Sequence, residues 1–249
     1  MSAPLLSVVG LTKRFGGLIA TNNLDLHVHQ RETHAIIGPN GAGKTTLIAQ
    51  LQGEIRPDAG AIHFSARDIT REPAHRRAQL GLARSFQITS IFPAFTTLAN
   101  VALAVQSIAG HSFRFFAPAL EDRALTAPAR EALGIVGLTH CAAVLANDLS
   151  HGEKRQLELA MALAMRPKLL LLDEPMAGMG RQDGARMTRI LAGLKRTYAI
   201  LLIEHDMDTV FALADRITVL VAGRAIASGA PDAIRANADV RAAYLGHKH

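Results

Sequence analysis

The chain has one cysteine, Cys141, and no tryptophan. A lone thiol cannot build an internal disulfide framework, and such a chain suits a reducing compartment. Two tyrosines and no tryptophan leave few aromatic platforms for stacking single-stranded nucleic acid. No stretch reaches the roughly 18 uninterrupted apolar residues that cross a bilayer. Met1 to Val9 is apolar but short, with no basic region before it and no cleavage site after it, so no signal peptide is expected. Charge of one sign never accumulates into a run of five. The net charge of +6 is therefore expected to lie on a solvated basic surface, with no nucleic-acid partner. Internal repeats and low-complexity linkers are absent as well.

What is present is the material of one packed α/β domain. Of 249 residues, 49% are hydrophobic and 19% charged. A mean hydropathy of +0.17 is slightly apolar and suggests that a partner covers part of the surface. Leu24, Leu26 and Val28 alternate with polar residues, as in a half-buried strand. His34 to Ile37, Leu169 to Leu172, Ala199 to Ile203 and a run including Val219 to Val221 are short and continuously apolar. Helical segments separate them, which predicts a parallel sheet covered on both faces. From about Pro93 to Asp148 the pattern changes. Alanine-rich helical pieces alternate with Pro118, Pro128 and Gly137, predicting a helical insertion.

Gly38-Pro39-Asn40-Gly41-Ala42-Gly43-Lys44-Thr45 fits the phosphate-loop pattern G-x-x-x-x-G-K-[ST]. Glycines let such a loop curl with its backbone N–H groups turned toward phosphate oxygens. The helix predicted over Thr46 to Gln52 adds its positive N-terminal end, with Thr46 completing the binding set. Lys44 suits the β- and γ-phosphates, and the Thr45 hydroxyl suits Mg²⁺. Asp173 and Glu174 follow the four leucines directly, at the carboxyl edge of the predicted sheet, where α/β proteins bind ligands. Asp173 suits a Mg²⁺ ligand, and Glu174 a general base that positions an attacking water.

Leu149-Ser150-His151-Gly152-Glu153-Lys154-Arg155-Gln156 carries two readings. Ser150 and Glu153 form a capping box. Leu157, Ala160, Met161, Ala164 and Met165 then repeat as a core-facing helical stripe that Pro167 ends. The same segment resembles the L-S-G-G-Q signature of ABC-transporter ATP-binding subunits, at the spacing ahead of Asp173 that this family uses. With the phosphate loop, Gln87 and His205 the full set stands in family order, and the resemblance runs from about Leu5 to Gly246. Other P-loop enzymes, kinases and switch GTPases among them, leave the signature and His205 unexplained. Soluble ABC ATPases acting on DNA or ribosomes usually carry two cassettes or a long coiled coil, and neither is present.

The resemblance implies an α/β fold. It consists of a P-loop ABC ATPase core with a mostly parallel sheet, an N-terminal antiparallel β portion and an inserted helical subdomain. The chain, residues 1–249, is then a single ATP-binding domain, with its core at about 1–92 and 149–249 and its helical subdomain at about 93–148. ATP and Mg²⁺ are the implied cofactors. By the same resemblance Phe15 stacks on adenine, core packing being its other reading. Gln87 touches Mg²⁺ or water and senses the membrane partner, and His205 contacts the γ-phosphate. Ser150 and Gly152 serve the ATP held by a second ATPase subunit, identical or paralogous. Two transmembrane permease subunits, and indirectly an extracytoplasmic solute-binding protein, complete the assembly, with this chain peripheral on the cytoplasmic membrane face. Phe92 and Phe95 suit a docking groove for those subunits, or the core.

Three positions depart from the family pattern. His151 stands where the signature has glycine, Glu153 where glutamine is usual, and Gly180 where most members have aspartate. Leu11 to Gly17, Gly81 to Gln87, Ile203 to Asp208 and Ala243 to Gly246 look like the branched-chain amino-acid uptake branch. Close relatives import urea, amides or aromatic acids, and lipid or lipopolysaccharide exporters are the nearest rivals. His27, His29, His247 and His249 are read as strand and tail residues with no metal role.

Overall fold

A strand buried on both faces needs no polar alternation, and Leu169–Asp173 is buried at all five positions. Each such leucine removed from water contributes about 1.5–3 kcal/mol, so runs of this kind seed the sheet around which the chain packs. The computed structural model of the protein describes residues 3–85, 91–109 and 122–242.

The chain opens with β1 (Leu6–Phe15), β2 (Leu18–Val28) and β3 (Thr33–Ile37), followed by α1 (Lys44–Gln52). Next come β4 (Ala59–Phe64), β5 (Arg67–Asp68), α2 (Ala74–Leu80) and β6 (Leu82–Ser85). The helices α3 (Thr97–Ala109), α4 (Arg123–Ile135) and α5 (His151–Ala164) precede β7 (Leu169–Asp173). The last part alternates α6 (Arg181–Leu194), β8 (Ala199–Ile203), α7 (Met207–Leu213), β9 (Arg216–Val221), β10 (Arg224–Gly229) and α8 (Pro231–Ala236).

Two sheets result. One has the order β10-β9-β3-β8-β7-β6, parallel except for the β9–β10 hairpin. The other, β2-β1-β4-β5, is antiparallel, and in β2 the buried Leu24, Leu26 and Val28 alternate with the exposed Asp25 and His27. Alternate residues of the parallel strands enter different cores. Leu169, Leu171, Leu201 and Ile203 pack with α1 and the antiparallel sheet, while Leu170, Leu172, Ile200 and Leu202 pack with α3, α4, α5 and α6. Ile37, Ile217 and Val219 build a third core with Val210 of α7 and Ile234 of α8.

The helical layer holds α3 and α4 against α5, the helix that opens at Ser150. In α5, Leu157, Ala160 and Ala164 are buried as the periodicity predicts. Met161 and Met165 stay half-buried, facing a surface cleft. Among the described residues no helix is long and apolar enough to cross a membrane.

Candidate active site

The phosphate loop joins β3 to α1. Its last glycine, Gly43, caps α1 with φ at 100°, and a Cβ there would meet the Ala20 carbonyl oxygen at 2.0 Å. No other residue fits so close a backbone approach in the left-handed region. At Gly38 a Cβ would lie 2.2 Å from the Leu220 carbonyl oxygen. The turn between β9 and β10 holds the loop from outside, with Gly223 N–H donating to Ala42 C=O at 3.0 Å.

The opening of α1 has no side-chain cap and no acid in its first turn. Its free N–H groups and positive dipole end fit an anion. Lys44 Nζ donates to the carbonyls of Gly38 (2.7 Å) and Pro39 (3.0 Å). Burial lowers the Lys44 pKa, and Glu174 and Asp173 pull it back up.

Thr45 is exposed at the loop's end. Asp173, ending β7, is 3% exposed, and burial pushes its pKa upward. Arg84 of β6 opposes that shift, its Nη2 donating to Asp173 Oδ2 at 3.1 Å. Oxygen donors from Thr45 and Asp173 are the hard ligands that Mg²⁺ takes.

Glu174 turns into the left-handed region, with φ at 48°. An acid there carries backbone strain of order 1–3 kcal/mol, which tight surroundings must hold. Its N–H donates to the Ile203 carbonyl at 2.9 Å, tying it to the end of β8. His205, the second residue beyond that carbonyl, has Nδ1 3.9 Å from Glu174 Oε1 and 3.8 Å from Glu204 Oε2. The imidazole is 65% exposed and so faces outward.

Two residues of this site had no role from sequence alone. Glu204 is 1% exposed, and it accepts from the N–H groups of Met176 and His205, both at 3.2 Å. It pins the chain after β7 to the chain after β8. Arg84 is the other. Its Nη1 also donates to Gln52 Oε1, and it lies 3.6 Å from Glu54 Oε1, beyond the end of α1. Both are charged residues inside or beside apolar strands, a signal that marks a buried ion pair or hydrogen-bond hub.

Phe15 ends β1 at 47% exposure, which rules out the core reading, and Lys13 Nζ lies 5.6 Å from its ring. Gln87 lies outside the described residues. Ser150 is exposed and caps α5, its Oγ accepting from Glu153 N–H at 3.3 Å. Glu153 Oε2 accepts in return from Ser150 N–H at 2.8 Å, and that bond lowers the Glu153 pKa. Glutamate here therefore fixes the helix opening. Gly152 is buried against α6, where a Cβ would come within 2.6 Å of the Asp183 carboxyl group. Gly180 caps α6 without a side-chain bond.

Residues 21–177 match the family profile described as ABC transporter. The chain belongs to the ABC transporter ATP-binding family. Residues 226–249 of this ABC cassette match the profile of the branched-chain amino acid ATP-binding cassette transporter. Over 253 residues it is 38% identical to the high-affinity branched-chain amino acid transport ATP-binding protein BraF of Pseudomonas aeruginosa, covering 99% of each chain. The corresponding LivG protein of Escherichia coli is 38% identical over 258 residues, with 99% of each chain covered.

A nucleotide-free ATP-binding cassette from an ABC transporter superposes with a TM-score of 0.85 at 26% identity, covering 98% of this chain and 100% of the other. A cassette in its ADP conformation gives 0.84 at 26%, with coverage of 99% and 100%. As an ABC cassette the chain is a nucleotide-binding ATPase.

Proposed function

We propose that the chain is the ATP-hydrolysing subunit of an importer for branched-chain or related hydrophobic amino acids, acting at the cytoplasmic membrane face. The observation that carries this reading is end-to-end similarity to BraF and LivG, whose names state that transport, together with the C-terminal profile of the same branch.

In this reading the α1 opening, Lys44 and the loop from Gly38 to Thr46 hold the triphosphate, and Phe15 offers its exposed face to adenine. Thr45 and Asp173, with Gln87, hold Mg²⁺, which supplies charge neutralisation at the β- and γ-phosphate oxygens. Glu174 orients the attacking water and accepts its proton, and His205 steadies the reacting end of the phosphate. Ser150, exposed at the opening of α5 with Gly152 packed behind it, serves the ATP of a second cassette, so that two sites form between two subunits, head to tail. Residues 1–249 form one ATP-binding domain, the helical layer being its inserted part.

Closure of the two cassettes moves two permease subunits seated on the helical layer. Phe92 and Phe95 stack at 5.5 Å, exposed by 51% and 45%, a costly arrangement for residues with no partner.

Uptake of labelled leucine, isoleucine and valine tests the reading in cells lacking the chain. Uptake should be lost, return with wild type, and stay lost with Phe92→Asp even though the isolated variant hydrolyses ATP normally. Normal branched-chain uptake in those cells, with loss of urea, amide or aromatic-acid uptake, would assign another solute.

A further inference from the structure

An apolar cleft lies beside Phe92 on the helical side of the molecule. It measures about 450 Å³ and is walled by Phe92, Leu103, Met161 and Met165. Its polar lining is Ser107 and two charged residues, Arg84 and Glu158. Arg84 commits both terminal nitrogens to Asp173, Gln52 and Glu54, and only its Nε lacks an acceptor among the described residues.

Glu158 is different. It is 5% exposed, and its Oε2 accepts from Arg155 Nη1 at 3.0 Å, one turn back on α5. Its Oε1 is buried and accepts from no donor among the described residues. An ionised carboxylate offers only acceptors, and a buried one with an oxygen left unmatched is expensive. Burial has raised its pKa, with Arg155 opposing. Among the described residues, an acid retained in the lining of a methionine- and phenylalanine-walled cleft thus lacks one donor, and the walls lack an apolar cover.

We propose that the permease segment seated in this cleft is apolar with one basic side chain, a lysine or arginine, whose N–H bonds Glu158 Oε1. This rests on the reading of the chain as a transporter subunit. A charge-assisted bond in a desolvated cleft is roughly twice as strong as a neutral one. It also discriminates, because an acidic or wholly apolar segment would leave Glu158 repelled or unpaired. Glu158 then sets which membrane subunits this cassette accepts, a choice that the nucleotide site cannot make.

The test uses membranes carrying the two permease subunits, stripped of ATPase subunits, and measures binding of the purified chain. Glu158→Gln keeps the shape and removes the charge. It should weaken binding at least tenfold while the ATPase rate of the isolated chain stays within twofold. Glu158→Lys should abolish binding. Among permease variants with each cytoplasmic lysine or arginine changed in turn to glutamate, one should restore it.

Three results separate the two readings. Wild-type binding by Glu158→Gln, with binding lost in Phe92→Asp, would leave the cleft as the dock and overturn the role of Glu158. Failure of every permease charge reversal to rescue Glu158→Lys would overturn it as well. Wild-type binding by Phe92→Asp itself would overturn the docking reading, and this inference with it.

Discussion

Arg84 Nη2 lies 3.1 Å from Asp173 Oδ2, joining the ends of β6 and β7 through one buried ion pair. The acid proposed to hold Mg²⁺ is thus oriented by a cation on the neighbouring strand. Partners of metal ligands in this position typically contribute 10–100-fold in metal affinity or activity. Arg84→Met should therefore lower Mg²⁺ affinity and Mg²⁺-dependent hydrolysis by about 10–100-fold. Binding of ATP measured in chelator should change little. Equal losses with and without Mg²⁺ would instead make Arg84 a support for the whole loop.

Glu174→Gln keeps size and removes the base. Turnover should fall by about 10²–10⁴-fold while nucleotide affinity survives. Hydrolysis and binding are measured on the same preparation. Near-normal turnover would remove Glu174 from the role.

The reading of Ser150 as serving the other subunit's ATP can be tested by mixing. Lys44→Ala damages the phosphate loop, and Ser150→Arg damages the signature. A mixed dimer has one doubly damaged site and one intact site. Random mixing makes about half the dimers mixed, so recovery reaches at most roughly a quarter of wild-type activity. If the natural partner is a paralogue, the two changes go into separate cassettes of one complex. Activity no greater than the sum of the two mutants, with mixed dimers shown to form, would argue against the assignment.

Stability depends on an arginine outside the reaction. Arg77 is 1% exposed and donates to the carbonyls of Gln50, Leu51, Glu72 and Thr70, and burial brings its pKa down to about 10. Two of those carbonyls belong to the last turn of α1, so the residue caps the phosphate-loop helix. Arg77→Met orphans several buried acceptors and should cost about 3 kcal/mol or more. Arg77→Lys should recover less than half, because one point donor cannot replace a planar fork. Thermal melting measures both, and a Met variant melting within about 2 °C of wild type would contradict this.

How much of this was legible in the residues depended on distance along the chain. Leu169 to Asp173 could be read because a doubly buried strand is continuously apolar, and acids at its end announce the sheet edge. The capping box could be read because Ser150 and Glu153 are three residues apart. Arg84 with Asp173, and Arg77 with the end of α1, could not. Those contacts exist only once β6 lies beside β7 and α2 beneath α1, an order that no local period encodes. Met161 and Met165 followed the helical period but not the burial it implied, since periodicity marks an apolar face and cannot say whether the chain or a partner covers it.

Lys44 lies folded back across its own loop, held by the carbonyls of Gly38 and Pro39. A lysine side chain carries about 2 kcal/mol of rotamer freedom. Here that freedom has been surrendered during folding, so capturing a phosphate need not surrender it again. Arrival of the triphosphate exchanges neutral acceptors for anionic ones around an ammonium already in place. Nucleotide association should then be governed by encounter and orientation, without a slow search by the side chain that greets it.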